Sequence, residues 1–240
     1  MNYMLYIMII CIISVIFLLC YNNMENNDDT CVIITGLVLD EYVDSLIKTY
    51  EKVENKIVVT WKDQNPHLLN KLKNNGFIIL QNDYPDKRCS VNYQTRSIYS
   101  GIMTAKELGF KYVIRMRTDV FCNNFLSLMK KIRHLYIKNF TCICGQGYSN
   151  IDYFNDFCMA SSIEDFMKMF YKEQTEEDNR YPELFWMETY FDRVNITPQD
   201  LKQNFNYFIQ ILEDNDIKMH WIKKKCDIVE DLKKNFRLVY

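Results

Sequence analysis

Residues 92–121 read NYQTRSIYSGIMTAKELGFKYVIRMRTDVF, and the class of the whole chain follows from how this segment divides. Ile98, Ile102, Ala105 and Leu108 recur at helical spacing, and Gly109 predicts the stop. Tyr112, Val113, Ile114 and Met116 then form a short apolar run of the kind that a parallel sheet buries on both faces. Arg117-Thr118-Asp119 follows at the carboxyl end of that strand, where open α/β sheets bind their ligands. A cation and a carboxylate at that place suit a phosphorylated or metal-bound ligand.

The same alternation extends outward on the amino-terminal side. Cys31–Thr35 (CVIIT) reads as a buried strand before Gly36, and Leu39, Val43, Leu46, Tyr50 and Val53 give a helical stripe. Ile57–Trp61 (IVVTW) is a second strand, Asn65-Pro66 caps and opens a helix closed by Gly76, and Phe77–Leu80 (FIIL) is a third strand. Strand and helix in turn predict an α/β fold, an open sheet of mostly parallel strands joined by right-handed crossovers and flanked by helices.

Past Asp119 the reading is a helix carrying Phe125, Leu128, Met129 and Ile132, then short strands at Thr141–Cys144 and Phe157–Ala160. Ser161-x-x-Glu164 has the form of a capping box. Pro182-Glu183 opens an aromatic helix to Phe191, Thr197-Pro198-x-Asp200 opens another through Leu212, and Ile217–Ile222 is a final strand.

Tyr3–Tyr21 (YMLYIMIICIISVIFLLCY) carries no charge, and its 19 residues come close to spanning a hydrocarbon core. No small-residue cleavage site of the A-x-A kind lies near Cys20, so residues 1–21 are expected to be an uncleaved transmembrane signal anchor. Residues 22–30 form a polar linker, and residues 31–240 suit one domain of ordinary size. The acidic flank Glu25, Asp28 and Asp29 points to a single-pass type II arrangement with the domain lumenal or exterior. A net charge of -2 leaves no basic footprint for nucleic acid. The 9 cysteines include no CxxC pair and read as small buried hydrophobes.

Glycine scarcity narrows the chemistry. With only 6 glycines, the chain contains neither G-x-G-x-x-G nor G-x-x-x-x-G-K-[ST], so a dinucleotide Rossmann site and a P-loop both lack their phosphate cradle. A nucleotide diphosphate must then be neutralised by a metal ion or by side-chain cations, and Arg117 and Asp119 suit either task. A plain loop salt bridge explains the pair as well. Asn92, Gln94 and Arg96 stand near the start of a helix aimed at the same region, where anions are favoured. Asp63, just past the second strand, is placed to accept hydrogen bonds from a base or ribose, and equally to close a turn.

The order CVIITG, IVVTW-x-Asp63, Asn92-x-Gln94, Gly101, YVIRMRTD, Tyr153-x-x-Asp156-Phe157 and Pro182-Glu183 resembles the WavE lipopolysaccharide-synthesis family over about residues 31–195. That family is assigned as glycosyltransferases with a GT-A-like nucleotide-sugar fold. The resemblance implies a membrane-associated enzyme that moves a sugar from a nucleotide-sugar donor to a glycan or glycolipid acceptor. It aligns Arg117-Thr118-Asp119 with the Asp-x-Asp element of GT-A enzymes, which holds a divalent Mn or Mg ion, with Arg117 in place of the first carboxylate. It gives Asp119 and His220 as metal ligands, and together with the placements above the expected nucleotide-sugar contacts are Thr35, Asp63, Asn92, Gln94, Arg96, Arg117 and Asp119. Glu183 corresponds to the base of inverting enzymes, with Asp156 and Glu188 as rivals. The bland alternatives are a first-turn glutamate favoured by the helix dipole and an edge-strand histidine. A catalytically inactive glycan-binding or envelope relative, and a methyltransferase on a Rossmann sheet, are the competing functions.

Overall fold

The computed structural model describes residues 29–135, 140–143, 156–175, 178, 180–195, 197, 209–211 and 219–221. Strand β1 (Thr30–Thr35) is buried throughout, and helix α1 (Asp40–Thr49) carries the chain to β2 (Lys56–Trp61), also buried throughout. Helix α2 (Pro66–Asn74) leads to β3 (Ile78–Asn82), and α3 (Ser90–Glu107) returns to β4 (Tyr112–Arg117). The short strand β5 (Val120–Cys122) and helix α4 (Phe125–Leu135) follow. Strands β6 (Phe140–Ile143) and β7 (Cys158–Ser162) precede helices α5 (Ile163–Phe170) and α6 (Pro182–Val194), and β8 (Ile209–Ile211) and β9 (Met219–Trp221) come last.

Among the described residues, one seven-stranded sheet runs β3-β2-β1-β4-β7-β6-β8, beside a two-stranded pair of β5 and β9. β1, β2, β3 and β4 are parallel, whereas β7 is antiparallel to both β4 and β6. The chain winds from β1 outward through β2 to β3, then crosses back through α3 to place β4 on the other side of β1. The direction of winding therefore reverses between β1 and β4, and a crevice opens at their carboxyl ends.

Alternation along the strands feeds two cores. Val32, Ile34, Val58, Ile114 and Met116 pack with α1, α2 and α4, and Cys31, Ile33, Ile57, Val59 and Val113 pack with α3, α5 and α6. Each fully buried Val, Leu, Ile or Phe contributes about 1.5–3 kcal/mol relative to exposure. Helix α3 lies close against the sheet at Gly101, where a Cβ would stand 2.5 Å from Ile33 Cγ2 and 2.9 Å from Val59 Cγ2. Trp186, fully buried beneath α3, donates its indole N–H to Thr95 Oγ1 at 2.8 Å, so its burial leaves no polar atom unpaired.

Several local expectations need correction. The cap of α5 is Ser162, whose Oγ accepts from Asp165 N at 3.1 Å, one residue later than the expected Ser161 and Glu164. Ser161 instead belongs to β7, paired with Val113. The helix expected to run through Leu212 does not include Ile209–Ile211, which is the parallel neighbour of β6, and residues 198–208 lie outside the described residues. Tyr50 and Val53 are buried, but they lie beyond the end of α1. The cysteines at 31, 122 and 158 are buried, as small hydrophobes would be. Residues 1–21 lie outside the described residues, among which no helix is long and apolar enough to cross a membrane.

Candidate active site

The crevice between β1 and β4 is a cleft of about 580 Å³, and Thr35, Gly36, Trp61, Arg117 and Asp119 at the strand ends help to line it. Its volume is that of a small-ligand site. At the β1 end, Gly36 adopts φ +138°, and a Cβ there would sit 2.4 Å from Thr118 Oγ1. The turns after β1 and β4 thus pass in contact, with Thr118 N donating to Thr35 O at 3.1 Å. Tyr42 rises from α1 to donate to Leu37 O at 2.9 Å; burial pushes its phenol up to about 12, so it remains a donor.

Charge is concentrated on the β4 side. Arg117 grips Asp119 in a fork, with Nε to Oδ1 at 2.9 Å and Nη2 to Oδ2 at 2.8 Å. Its third nitrogen, Nη1, reaches both oxygens of Asp156 at 3.3 Å. Burial alone would lower the Arg117 guanidinium, but Asp156 and Asp119 outweigh it and raise it. Arg115 stands one strand period deeper on β4. It is 1% exposed, donates Nε to Thr35 Oγ1 at 3.1 Å, Nη2 to Gln94 Oε1 at 3.0 Å and Nη1 to the Asp156 carbonyl, and has Asp156 Oδ2 at 3.6 Å. Burial lowers it and Asp156 offsets part of that. Asp156, only 5% exposed, is the shared counter-charge of both arginines.

Opposite this pair stands an aromatic wall. Tyr84 stacks on Trp61 with centroids 5.0 Å apart and 20° between planes, and Tyr93 meets both edge-on. The Arg88 guanidinium lies 5.2 Å from the Tyr84 centroid, and Tyr84 donates its hydroxyl to Asp63 at 2.6 Å. That hydrogen bond, opposed by slight desolvation, lowers the Asp63 carboxyl.

The residues singled out in the sequence therefore divide. Thr35, Gln94, Arg117 and Asp119 line the cleft, and Asp63 sits behind its aromatic rim. Asn92 and Arg96 do something other than expected. Asn92, 1% exposed, exchanges hydrogen bonds with the backbone of Gln174, and Arg96 pairs with Glu173 through Nε at 2.6 Å and Nη2 at 3.1 Å. Both side chains fasten the segment before α6 onto α3, because a partner in the protein already takes the groups a ligand would need. Arg96 also donates to the Tyr84 carbonyl at 2.9 Å, joining that segment to the aromatic wall.

Glu183 sits in the first turn of α6, half-buried. Burial raises its carboxyl, the Asp156 charge raises it further, and Arg115 and Arg117 oppose both. Glu188 is bound to Arg180, which removes it from the rivals for a base. His220 falls on β9 opposite Phe121, two positions beyond Asp119, and its side chain lies outside the described residues. Arg115 and the Trp61–Tyr84–Tyr93 wall were missed in the sequence. The signal for Arg115 was a charge in an otherwise apolar strand run.

The described residues do not fit a divalent metal. Both oxygens of Asp119 face the Arg117 guanidinium, which stands where a cation would, and Asp156 is committed to two arginines. No group of three His, Cys, Asp or Glu side chains among the described residues is arranged to hold one.

No family model and no curated protein matches the sequence. Among solved structures, 4-diphosphocytidyl-2C-methyl-D-erythritol synthase from Anaerococcus prevotii is similar with a TM-score of 0.51 at 13% identity, covering 86% of this chain and 95% of that one. Mannose-1-phosphate geranyltransferase from Thermus thermophilus follows at 0.48 and 7% identity, covering 80% and 76% of the two chains. A glycosyltransferase involved in glycosylation of the major capsid of PBCV-1 gives 0.46 at 10% identity, covering 77% and 82%. The first of these, with the sheet order above, shows the fold: an open, mostly parallel, GT-A-like α/β sheet with flanking helices.

Proposed function

We propose that the chain is a glycosyltransferase that takes a sugar from a nucleotide-sugar donor and passes it to a glycan or glycolipid acceptor. One observation carries this reading: Arg117, Asp119 and Asp156 form a charged constellation at the switch point of the sheet, beside a cleft of about 580 Å³ with an aromatic wall. The base of the donor packs against the Trp61–Tyr84–Tyr93 wall, whose rings line the cleft. The diphosphate lies towards Arg117, whose guanidinium is anchored by Asp156 and presents its Asp119 edge to the cleft. A phosphate can share or replace the Asp119 pairing, since bidentate guanidinium geometry fits phosphate as well as carboxylate.

In transfer, the acceptor hydroxyl attacks the anomeric carbon while the bond from that carbon to the diphosphate oxygen breaks. Glu183 takes the hydroxyl proton, and its raised carboxyl makes it a stronger base once ionised. The leaving nucleoside diphosphate carries away the electron pair beside Arg117. Asp156 orients the arginines and does not act as the base. Residues 31–240 form the catalytic domain in this reading, held by the anchor at 1–21 through the linker at 22–30, in a type II arrangement. The WavE resemblance supports the acceptor class.

Isothermal titration of the protein with UDP, GDP and S-adenosylmethionine tests the assignment. Saturable binding of a nucleoside diphosphate is expected. Binding of none of them favours the inactive relative, for which Arg117 at the first carboxylate position speaks, and binding of S-adenosylmethionine alone favours a methyltransferase.

A further inference from the structure

Among the described residues Arg115 is the largest charged side chain in the interior, and the reading above gives it no contact with the donor. A buried cation and its carboxylate are seldom a net gain over apolar residues of the same size, so folding alone does not account for it. What it does to its neighbours is specific. A guanidinium has only donors, so each group that meets it must offer a lone pair. Gln94 meets it with Oε1, at 3.0 Å from Nη2, which fixes the amide plane and turns Nε2 with its two hydrogens away from Arg115. Thr35 meets it with Oγ1, at 3.1 Å from Nε, which leaves the hydroxyl hydrogen to be given elsewhere. Among the described residues neither Gln94 Nε2 nor the Thr35 hydroxyl hydrogen has a protein acceptor, and both residues line the cleft.

We propose that Arg115 is a positioning residue that polarises the floor of the cleft, drawing the acceptor atoms of Thr35 and Gln94 inward and turning their donors towards the ligand. A floor that presents these donors, backed by a guanidinium, matches a phosphate, whose oxygens accept. It matches a nucleobase edge or a ribose hydroxyl less well, since those present donors and acceptors together. The inference rests on the nucleotide-sugar reading and deepens it, by assigning the diphosphate oxygens to Thr35 and Gln94. Asp156 completes the device: its carbonyl and carboxylate hold Arg115 from the side away from Gln94.

The test uses the full chain and begins with the wild type, titrated with UDP, GDP, CDP and ADP. For the base it accepts, affinity for the nucleoside diphosphate is compared with affinity for the corresponding nucleoside, followed by ligand-detected NMR. Gln94→Glu keeps an oxygen on Arg115 and puts an acceptor where Nε2 was, and an ion pair with Arg115 preserves the fold. It should hold or raise the unfolding midpoint, weaken the nucleoside diphosphate by about tenfold to a hundredfold, and leave the nucleoside unchanged. Thr35→Val should weaken the diphosphate about tenfold, and Thr35→Ser should recover most of that loss. If Gln94→Glu binds the diphosphate as tightly as the wild type, or weakens diphosphate and nucleoside by the same factor, Arg115 is a structural cation only. A wild type that binds no nucleotide overturns the underlying function as well, and so is distinguishable from failure of this inference alone.

Discussion

Asn92 holds Gln174 as one strand holds its neighbour: Gln174 N donates to Asn92 Oδ1 at 2.7 Å, and Asn92 Nδ2 donates back to Gln174 O at 3.1 Å. A side chain thereby satisfies a buried stretch of loop backbone that has no ladder of its own. Asn92→Ala leaves both backbone groups unpaired, at a cost of about 2–3 kcal/mol. The thermal midpoint should fall by roughly 4–12 °C for a domain of this size, as read by calorimetry. An unchanged midpoint would show that the segment is held without it, by Arg96 on Glu173 and by Lys87, whose Nζ donates to the Thr175 carbonyl at 2.6 Å and the Asp178 carbonyl at 2.7 Å.

Contact between α3 and the sheet is a second sensitive point. In Gly101→Ala the added methyl meets Ile33 Cγ2 and Val59 Cγ2 inside van der Waals distance, and overpacking of this kind costs about 1–3 kcal/mol. Adding Ile33→Ala makes room for it, so urea denaturation of the double mutant should show less than the sum of the two single losses. Simple additivity would mean that the helix backs away freely.

Burial, and then the Asp156 charge, raises the Glu183 carboxyl. Between the ordinary glutamate value and this raised one, the native state binds more protons than the unfolded chain. Stability contributed by protonated Glu183 is therefore present at low pH and is lost as pH climbs through that window. Glu183→Gln should be more stable than the wild type at about pH 7 and lose the advantage at about pH 4, measured by urea melts at both. The same variant should lower turnover by about 10²–10⁴-fold and remove the acid limb of the rate profile. Unaltered turnover would move the base elsewhere.

Arg117 pairing with Asp119 predicts how the site treats metal ions. Nucleoside diphosphate affinity of the wild type should change by less than about twofold between excess EDTA and Mn²⁺. Arg117→Asp rebuilds paired carboxylates and should make that affinity depend on Mn²⁺. A wild type that binds only with the metal would mean that the guanidinium swings away and frees Asp119.

The wound half of the sheet was legible because β1, β2 and β4 are buried on both faces and its helices carry clear stripes closed by Gly76 and Gly109. The ends of β1 and β4, and with them Thr35 and Asp119, followed from that topology. Gln94 was placed by its position near the start of α3. Arg115 escaped notice because a run such as Tyr112–Arg117 is read for its apolar members, and strand parity alone turns position 115 towards α3. The roles of Asn92 and Arg96 were hidden for a different reason: their partners, Gln174 and Glu173, lie more than 75 residues away and no local pattern announces them. Strands as short as β5 and β8 take their conformation from the partners they pair with, so Ile209–Ile211 reads as helix in isolation.

The central claim is that the cleft beside Arg117 turns over a nucleotide-activated sugar. The direct measurement is release of nucleoside diphosphate from a panel of nucleotide sugars, by the wild type and by Arg117→Ala at matched folded concentration. One donor should be consumed by the wild type, and at least about a hundredfold more slowly by the variant. No donor consumed, or a variant as fast as the wild type, would contradict it.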